Sequence, residues 1–355
     1  MKLLESLRRA QTLGLDRIDA QLLHLLALER PPDDRAWLLA HDTDELAADV
    51  LARLEPLLQR RLAGEPLAYI TGTKEFFGLP LQVDARVLDP RPDTETLVEW
   101  ALQVIPEDAP CDVIDLGTGS GAIALALQHQ RPHARVSAVD ASTDALAVAQ
   151  ANAQQLKLPV RFIHSHWLRG VQGHFDVIVS NPPYIAADDP HLAALKHEPL
   201  QALASGADGL RDIRTLIEQA PMHLKPGGWL LMEHGYDQSV ATRALLQRAG
   251  FALPVSDIDS FTLRYDSLFA LMADVRAMGA ANVLTQRAKK PLRRDVLMRA
   301  AQIYAERFSD PDGRVRASFE IVWFSGWAPH ESQQKPAQPG SATARLEDAI
   351  KGCNS

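Results

Sequence analysis

Asn181-Pro182-Pro183-Tyr184 follows directly on Phe175 to Ser180, an apolar run that reads as a buried parallel strand. Proline lacks a backbone donor and fixes φ, and Pro183 forces Pro182 into an extended conformation, so the Pro182 carbonyl is held in one direction. Two oxygen acceptors, the Asn181 side chain and the Pro182 carbonyl, can then hold the two N–H groups of a planar amide, with Tyr184 stacked on its face. An amide nitrogen is a poor nucleophile because its lone pair is delocalised, and no side chain deprotonates it near neutrality. Fixing its N–H groups and stabilising the positive charge that arrives on nitrogen is the chemistry this tetrapeptide can supply. Orientation in such a grip is worth of order 7–11 kcal/mol in ideal cases. It calls for neither a metal nor a covalent intermediate.

A second chemical feature lies upstream. Asp115-Leu116-Gly117-Thr118-Gly119-Ser120-Gly121 follows another apolar run and opens a helical pattern, so its glycines let backbone pass close to a ligand where a Cβ would collide. Read as Gly117-x-Gly119-x-x-Ala122, the loop also meets a dinucleotide fingerprint, with Asp140 where a ribose-binding acid belongs. Two features favour S-adenosylmethionine over a nicotinamide. Asp115, ahead of the first glycine, suits an ammonium group better than a pyrophosphate, and an amide-gripping tetrapeptide beside the loop calls for a group donor such as a methyl sulfonium.

Both features need strand ends facing one crevice. From Cys111 to about Tyr265, strand-like runs (112–116, 135–140, 160–164, 175–180, 227–234) alternate with helical patterns (122–128, 145–156, 241–250), which predicts an α/β fold: a mostly parallel sheet covered by helices on both faces. In such a sheet ligands sit beyond the carboxyl ends of the strands. Residues 1–72 repeat apolar positions at three- and four-residue steps and predict a small helical bundle, a substrate-recognition domain. Residues 73–98, punctuated by Pro80, Pro90 and Pro92, predict a hairpin linker; 99–265 is the catalytic domain, and 266–355 an extension that is helical over 266–308, strand-like over 317–327 and polar and flexible in its tail from Ala328. The run from Val255 to Tyr265 is expected to supply a closing antiparallel hairpin.

Composition narrows the classes. The 355-residue chain is 46% hydrophobic and 23% charged, an ordinary globular balance. Its two cysteines, Cys111 and Cys353, exclude a disulfide framework and a Cys-rich metal site, and with no signal-peptide pattern and no long apolar run the expectation is a cytoplasmic protein without a membrane span. Residues 276–316 carry ten Lys/Arg against four Asp/Glu, a local +6 that leaves −14 on the rest of a chain whose net charge is −8. An acidic body argues against a stable nucleic-acid partner.

Residues 1 to about 251, about 70% of the chain, resemble the bacterial release-factor glutamine methyltransferases. The resemblance is carried by Pro66 to Ile70, Glu75 to Gly78, Pro90 to Glu95, the loop Asp115 to Gly121, Ser180 to Ile185, Ser205 to Leu210 and Lys225 to Gly235, in that order. It implies a Rossmann-like class I methyltransferase sheet, S-adenosylmethionine as cofactor, and the glutamine of the Gly-Gly-Gln tripeptide of peptide chain release factors as substrate. It further implies that Gly117 to Gly121, Asp140, Trp167 and Asn181 contact the cofactor, and that Asn181, Pro182, Pro183 and Tyr184 hold the glutamine.

Two departures from the family pattern stand out. His166 replaces the usual acid before Trp167; where that acid meets the adenine amino group, its loss costs about 1 kcal/mol for one hydrogen bond. The chain also runs on for about 90 residues, and from about Ala249 it resembles the carboxyl end of malonyl-carrier-protein carboxyl methyltransferases and relatives linked to respiratory complex I assembly. Three alternatives stay open at this stage. N6-adenine methylation of nucleic acid would need base extrusion and a basic channel; carboxyl methylation of an acyl carrier would leave Asn181 without an N–H to accept; a non-catalytic assembly factor would keep the fold without binding the cofactor.

Overall fold

In the computed structural model, residues 1–277 and 294–327 are described. Five helices come first: α1 (Leu3–Thr12), α2 (Arg17–Ala27), α3 (Arg35–Ala40), α4 (Ala48–Leu62) and α5 (Leu67–Thr71). Val50, Leu54 and Leu58 recur at four-residue steps on α4 and pack with Leu23 and Ala27 of α2 and Ala10 of α1, which is why these short segments hold as a bundle. The short hairpin of β1 (Thr73–Phe76) and β2 (Leu79–Gln82) follows, within the segment expected to be a hairpin linker. Phe76 and Leu81 turn inward from it onto the main core.

After α6 (Glu95–Val104) the chain alternates β3 (Asp112–Leu116), α7 (Ala122–Gln130), β4 (Arg135–Asp140), α8 (Thr143–Leu156), β5 (Arg161–His164), β6 (Phe175–Ser180), α9 (Arg211–Gln219), β7 (Leu224–Glu233) and α10 (Ser239–Arg248). It ends with β8 (Ala252–Tyr265), α11 (Leu268–Ala277), α12 (Arg294–Phe308) and β9 (Val315–Trp327). One seven-stranded sheet results, in the order β5-β4-β3-β6-β7-β9-β8. The pairs among β5, β4, β3, β6 and β7 are parallel, and β9 runs antiparallel to both β7 and β8. Strand direction alternates side chains between faces. Val113, Val177 and Val179 therefore join the core under α6, α7 and α8, while Ile114, Leu116 and Ile178 join the core under α9 and α10.

The order fixes where a ligand can sit. Chain progression runs outward from β3 in both directions, first to β4 and then back to β6, so the crevice at their carboxyl ends is the topological switch point of the sheet. The run from Val255 to Tyr265, expected to supply a closing hairpin, instead lies within the single strand β8, which pairs with β9 from Ala252 opposite Trp327 to Tyr265 opposite Val315, with α11 and α12 between them. Helix α9 was not among the expected elements; its apolar Ile213, Leu216 and Ile217 are buried at helical spacing, but the segment is short and otherwise charged. The tail from Ala328 lies outside the described residues, as do parts of the basic segment and of the carboxyl-terminal resemblance. No helix among the described residues is long and apolar enough to cross a membrane.

Candidate active site

The glycine loop leaves β3 and folds back on the neighbouring strand, with the Gly117 and Thr118 amides both donating to the Val139 carbonyl at 2.9 Å. Asp140, the last residue of β4, accepts from the Gly119 amide through Oδ2 and from the Ser142 amide through Oδ1, each at 2.9 Å. Burial pushes its carboxyl above the usual range. Trp167, itself at φ +54°, lays its ring against the loop: a Cβ on Gly117 would stand 3.2 Å from Trp167 Cζ3, and Gly117 has φ +74°, so both space and backbone demand glycine there. The indole N–H donates to Asp212 Oδ1 of α9 at 3.2 Å, and Ser205 Oγ donates to Asp212 Oδ2 at 2.7 Å. Thus α9 positions the tryptophan.

These groups enclose a cavity of about 220 Å³ lined by Gly117, Gly119, Asp140, His166, Trp167 and Asn181 among others. A smaller one of about 50 Å³ adjoins it on the side of Thr94, Thr118 and Ser120, sharing Gly117, Gly119 and Asn181. Of the predicted cofactor residues, Asp115 and Gly121 line neither. Gly121 precedes α7 as its cap residue. Asp115 is fully buried beneath the loop and accepts from Thr118 Oγ1 at 2.6 Å, and burial raises its carboxyl to about 7. The expected direct approach of Asp115 to an ammonium group has no counterpart in the cavity lining: Asp115 stands one residue before the end of β3, a central strand covered on both faces, and is enclosed beneath the loop. Its Oδ1 is nonetheless a buried acceptor without a hydrogen-bond partner.

The acceptor tetrapeptide begins one residue past β6. Ser180 Oγ donates to the Leu116 carbonyl at 2.7 Å, tying the ends of β6 and β3 together and setting Asn181 beside the glycine loop. Asn181 Nδ2 donates to Thr94 Oγ1 at 2.9 Å, Thr94 Oγ1 donates to Glu233 Oε2 at 2.9 Å, and Tyr184 Oη donates to Glu233 Oε1 at 3.0 Å. Burial raises the Glu233 carboxyl, and the neighbouring Glu233 charge raises the Tyr184 phenol. The Tyr184 carbonyl accepts from Gln238 Nε2 at 2.8 Å. Asn181 and Pro183 line the main cavity, whereas Pro182 is buried and Tyr184 stands behind them. Thr94, Glu233, Asp212 and Gln238 were not singled out from sequence. Thr94 and Glu233 do fall within the family-like stretches 90–95 and 225–235, the one signal that pointed at them.

The donors present fit S-adenosylmethionine. A strand-end carboxylate with lone pairs to spare suits ribose hydroxyls, a cradle that a Cβ at Gly117 would fill suits close approach of a ligand, and the orphaned Asp115 Oδ1 leaves an acceptor behind the loop. A parallel sheet with one reversed strand, β9, set between β7 and the edge strand β8, together with this loop, defines an S-adenosylmethionine-dependent methyltransferase. Comparison with known proteins agrees: the PrmC N-terminal domain model matches residues 4–72 and the Methyltransferase small domain model residues 94–206. Proteins named release factor glutamine methyltransferase are 47% identical over 249 residues in Xylella fastidiosa, covering 69% of this chain and 90% of that protein. In Bordetella pertussis the figures are 48% over 241 residues, 67% and 88%, and in Escherichia coli 44% over 251 residues, 70% and 89%. The chain belongs to the release factor glutamine methyltransferase family.

Proposed function

We propose that the protein methylates the side-chain amide nitrogen of a glutamine, that of the Gly-Gly-Gln tripeptide in peptide chain release factors, with S-adenosylmethionine as donor. The cofactor supplies an electrophilic methyl on a positively charged sulfur. Gly117 to Ser120, Asp140, His166 and Trp167 bind it, with Gly121 ending the loop as the cap of α7; Asn181 Oδ1 and the Pro182 carbonyl accept the two amide N–H groups; Pro183 and Tyr184 hold the plane of the amide. Accepting both N–H groups aims the nitrogen and spreads the positive charge that develops on it. The bundle of residues 1–72 grips the protein carrying the glutamine. The observation that carries this reading is that Asn181 lines the cavity of the glycine loop while its own amino group is turned away onto Thr94.

The test is incubation with methyl-labelled cofactor and purified release factor, using a Gln-to-Glu substitution in the tripeptide as control. Label on the intact tripeptide and none on the substituted one is the expected result. Label retained on the substituted protein rejects the substrate. Asn181→Ala is expected to abolish transfer in a chain that still folds and binds cofactor, and unchanged turnover rejects its role.

A further inference from the structure

The hydrogen bonds behind Asn181 have a direction that can be worked out without seeing a hydrogen. A carboxylate has no hydrogen to give, so at 2.9 Å it is the Thr94 hydroxyl that donates to Glu233. That spends the hydroxyl's only hydrogen and leaves Thr94 Oγ1 able only to accept from its other partner, Asn181, also at 2.9 Å. An asparagine amide carries its donor and acceptor on opposite corners, so pinning Nδ2 on Thr94 turns Oδ1 the other way. Tyr184 donates to the second Glu233 oxygen at 3.0 Å, which holds the carboxylate against rotation, and Thr94 is buried at 5% exposure, so water does not substitute for either partner.

The geometry points to Thr94 and Glu233 as positioning residues that fix the polarity of Asn181 and thereby make the acceptor site select a carboxamide over a carboxylate. This rests on the glutamine reading and deepens it. A site showing Oδ1 receives an N–H from glutamine; the same oxygen facing glutamate meets only lone pairs. Were Asn181 free to flip, its amino group would face outward and receive a carboxylate. Both acceptors differ by one group of equal size, so the discrimination comes from hydrogen-bond polarity and not from shape.

The test compares two quantities in each variant: kcat/KM for the intact release factor, and the inhibition constant of the release factor with Glu in place of the tripeptide Gln. Thr94→Val keeps the shape and removes the hydroxyl, and is expected to narrow the discrimination between the two proteins by about tenfold or more, with cofactor affinity within about twofold of wild type. Thr94→Ser keeps the hydroxyl and is expected to restore wild-type discrimination. A purely structural loss weakens both proteins alike and leaves the ratio unmoved. Should Thr94→Val not fold, Glu233→Met removes the group that sets the hydroxyl's direction and must narrow the ratio in the same way. An unchanged ratio in either cofactor-binding variant, or a serine variant that behaves like valine, overturns the inference. Failure of the wild type to label any release factor overturns instead the substrate assignment beneath it.

Discussion

A single methyl placed at Gly209 tests whether the backbone of the acceptor loop is held to sub-ångström tolerance. A Cβ built there would stand 2.3 Å from the Tyr184 carbonyl oxygen and 2.6 Å from Gln238 Nε2, and Gly209 has φ +71°. To reach the shortest ordinary contact of about 3.4 Å, the Tyr184 carbonyl must retreat by about 1.1 Å, and a misplacement of about 1 Å at a reacting centre costs of order a hundredfold in rate. The left-handed backbone adds roughly 1–2 kcal/mol of strain for alanine. Gly206→Ala is the control: it shares the loop and the strain, with φ +75°, but its Cβ meets the Arg211 Cβ at 3.1 Å and no acceptor backbone. Gly209→Ala should lose about a hundredfold in kcat with cofactor binding retained in a calorimetric titration, whereas Gly206→Ala should lose stability and little rate. Equal turnover in the two variants would refute the claim that this glycine holds Tyr184 in place.

Three further outcomes are expected. Asp115 has its carboxyl raised from 3.8 to about 7, so the folded chain binds the extra proton between those values; the favourable contribution is complete below the lower value and gone above the upper. Ionisation then costs at most about 4 kcal/mol, so Asp115→Asn should raise Tm at pH 8 and not at pH 4, and parallel Tm curves for the two proteins would contradict it. His24 is buried between Ser6 Oγ at 2.8 Å and the Ala20 carbonyl at 2.6 Å, and burial lowers its pKa from 6.5. The unfolded chain therefore takes up the proton first as pH falls below 6.5, and the urea midpoint should drop between pH 7 and pH 5 by more in wild type than in His24→Leu. Gly117→Ala should weaken cofactor binding at least about tenfold by pushing Trp167 into the cavity, measured by calorimetry; wild-type affinity would show that the close approach is not used.

How much of this was legible in the sequence follows from which interactions are local. The five parallel strands, the glycine loop and the acceptor tetrapeptide were readable because short unbroken apolar runs and the φ restrictions of glycine and proline act within a few residues. The sheet edge was half legible: Val255 to Tyr265 read as a hairpin of its own, but it is one strand whose partner lies beyond two helices, and no local signal gives that register. Asp115 was read as facing the ligand because its place before the glycines was visible while its side of the strand was not. Thr94, Asp212 and Glu233 were missed for a related reason. Each acts through long-range hydrogen bonds, Thr94 to Asn181 across 87 residues and to Glu233 across 139, Trp167 to Asp212 across 45, and an isolated Thr, Asp or Glu looks like any surface residue until the chain is folded.

The same long-range bonds explain how a loop-built site can be stiff. Asn181 and Tyr184 are held from three directions: by Thr94 ahead of α6, by Glu233 at the end of β7, and by Gln238 at the head of α10. Loops ordinarily open at little cost, but here releasing any one segment strands a polar group on the others, among them the largely enclosed Glu233 carboxylate, and an unsatisfied buried acceptor costs roughly 1–3 kcal/mol, more when charged. The segments must therefore open together or stay closed together. Burial opposes a charge on Glu233, and hydrogen bonds from Thr94, Tyr184 and Asn181 oppose that effect, so the carboxylate is retained for the direction it gives its partners more than for any net gain in stability.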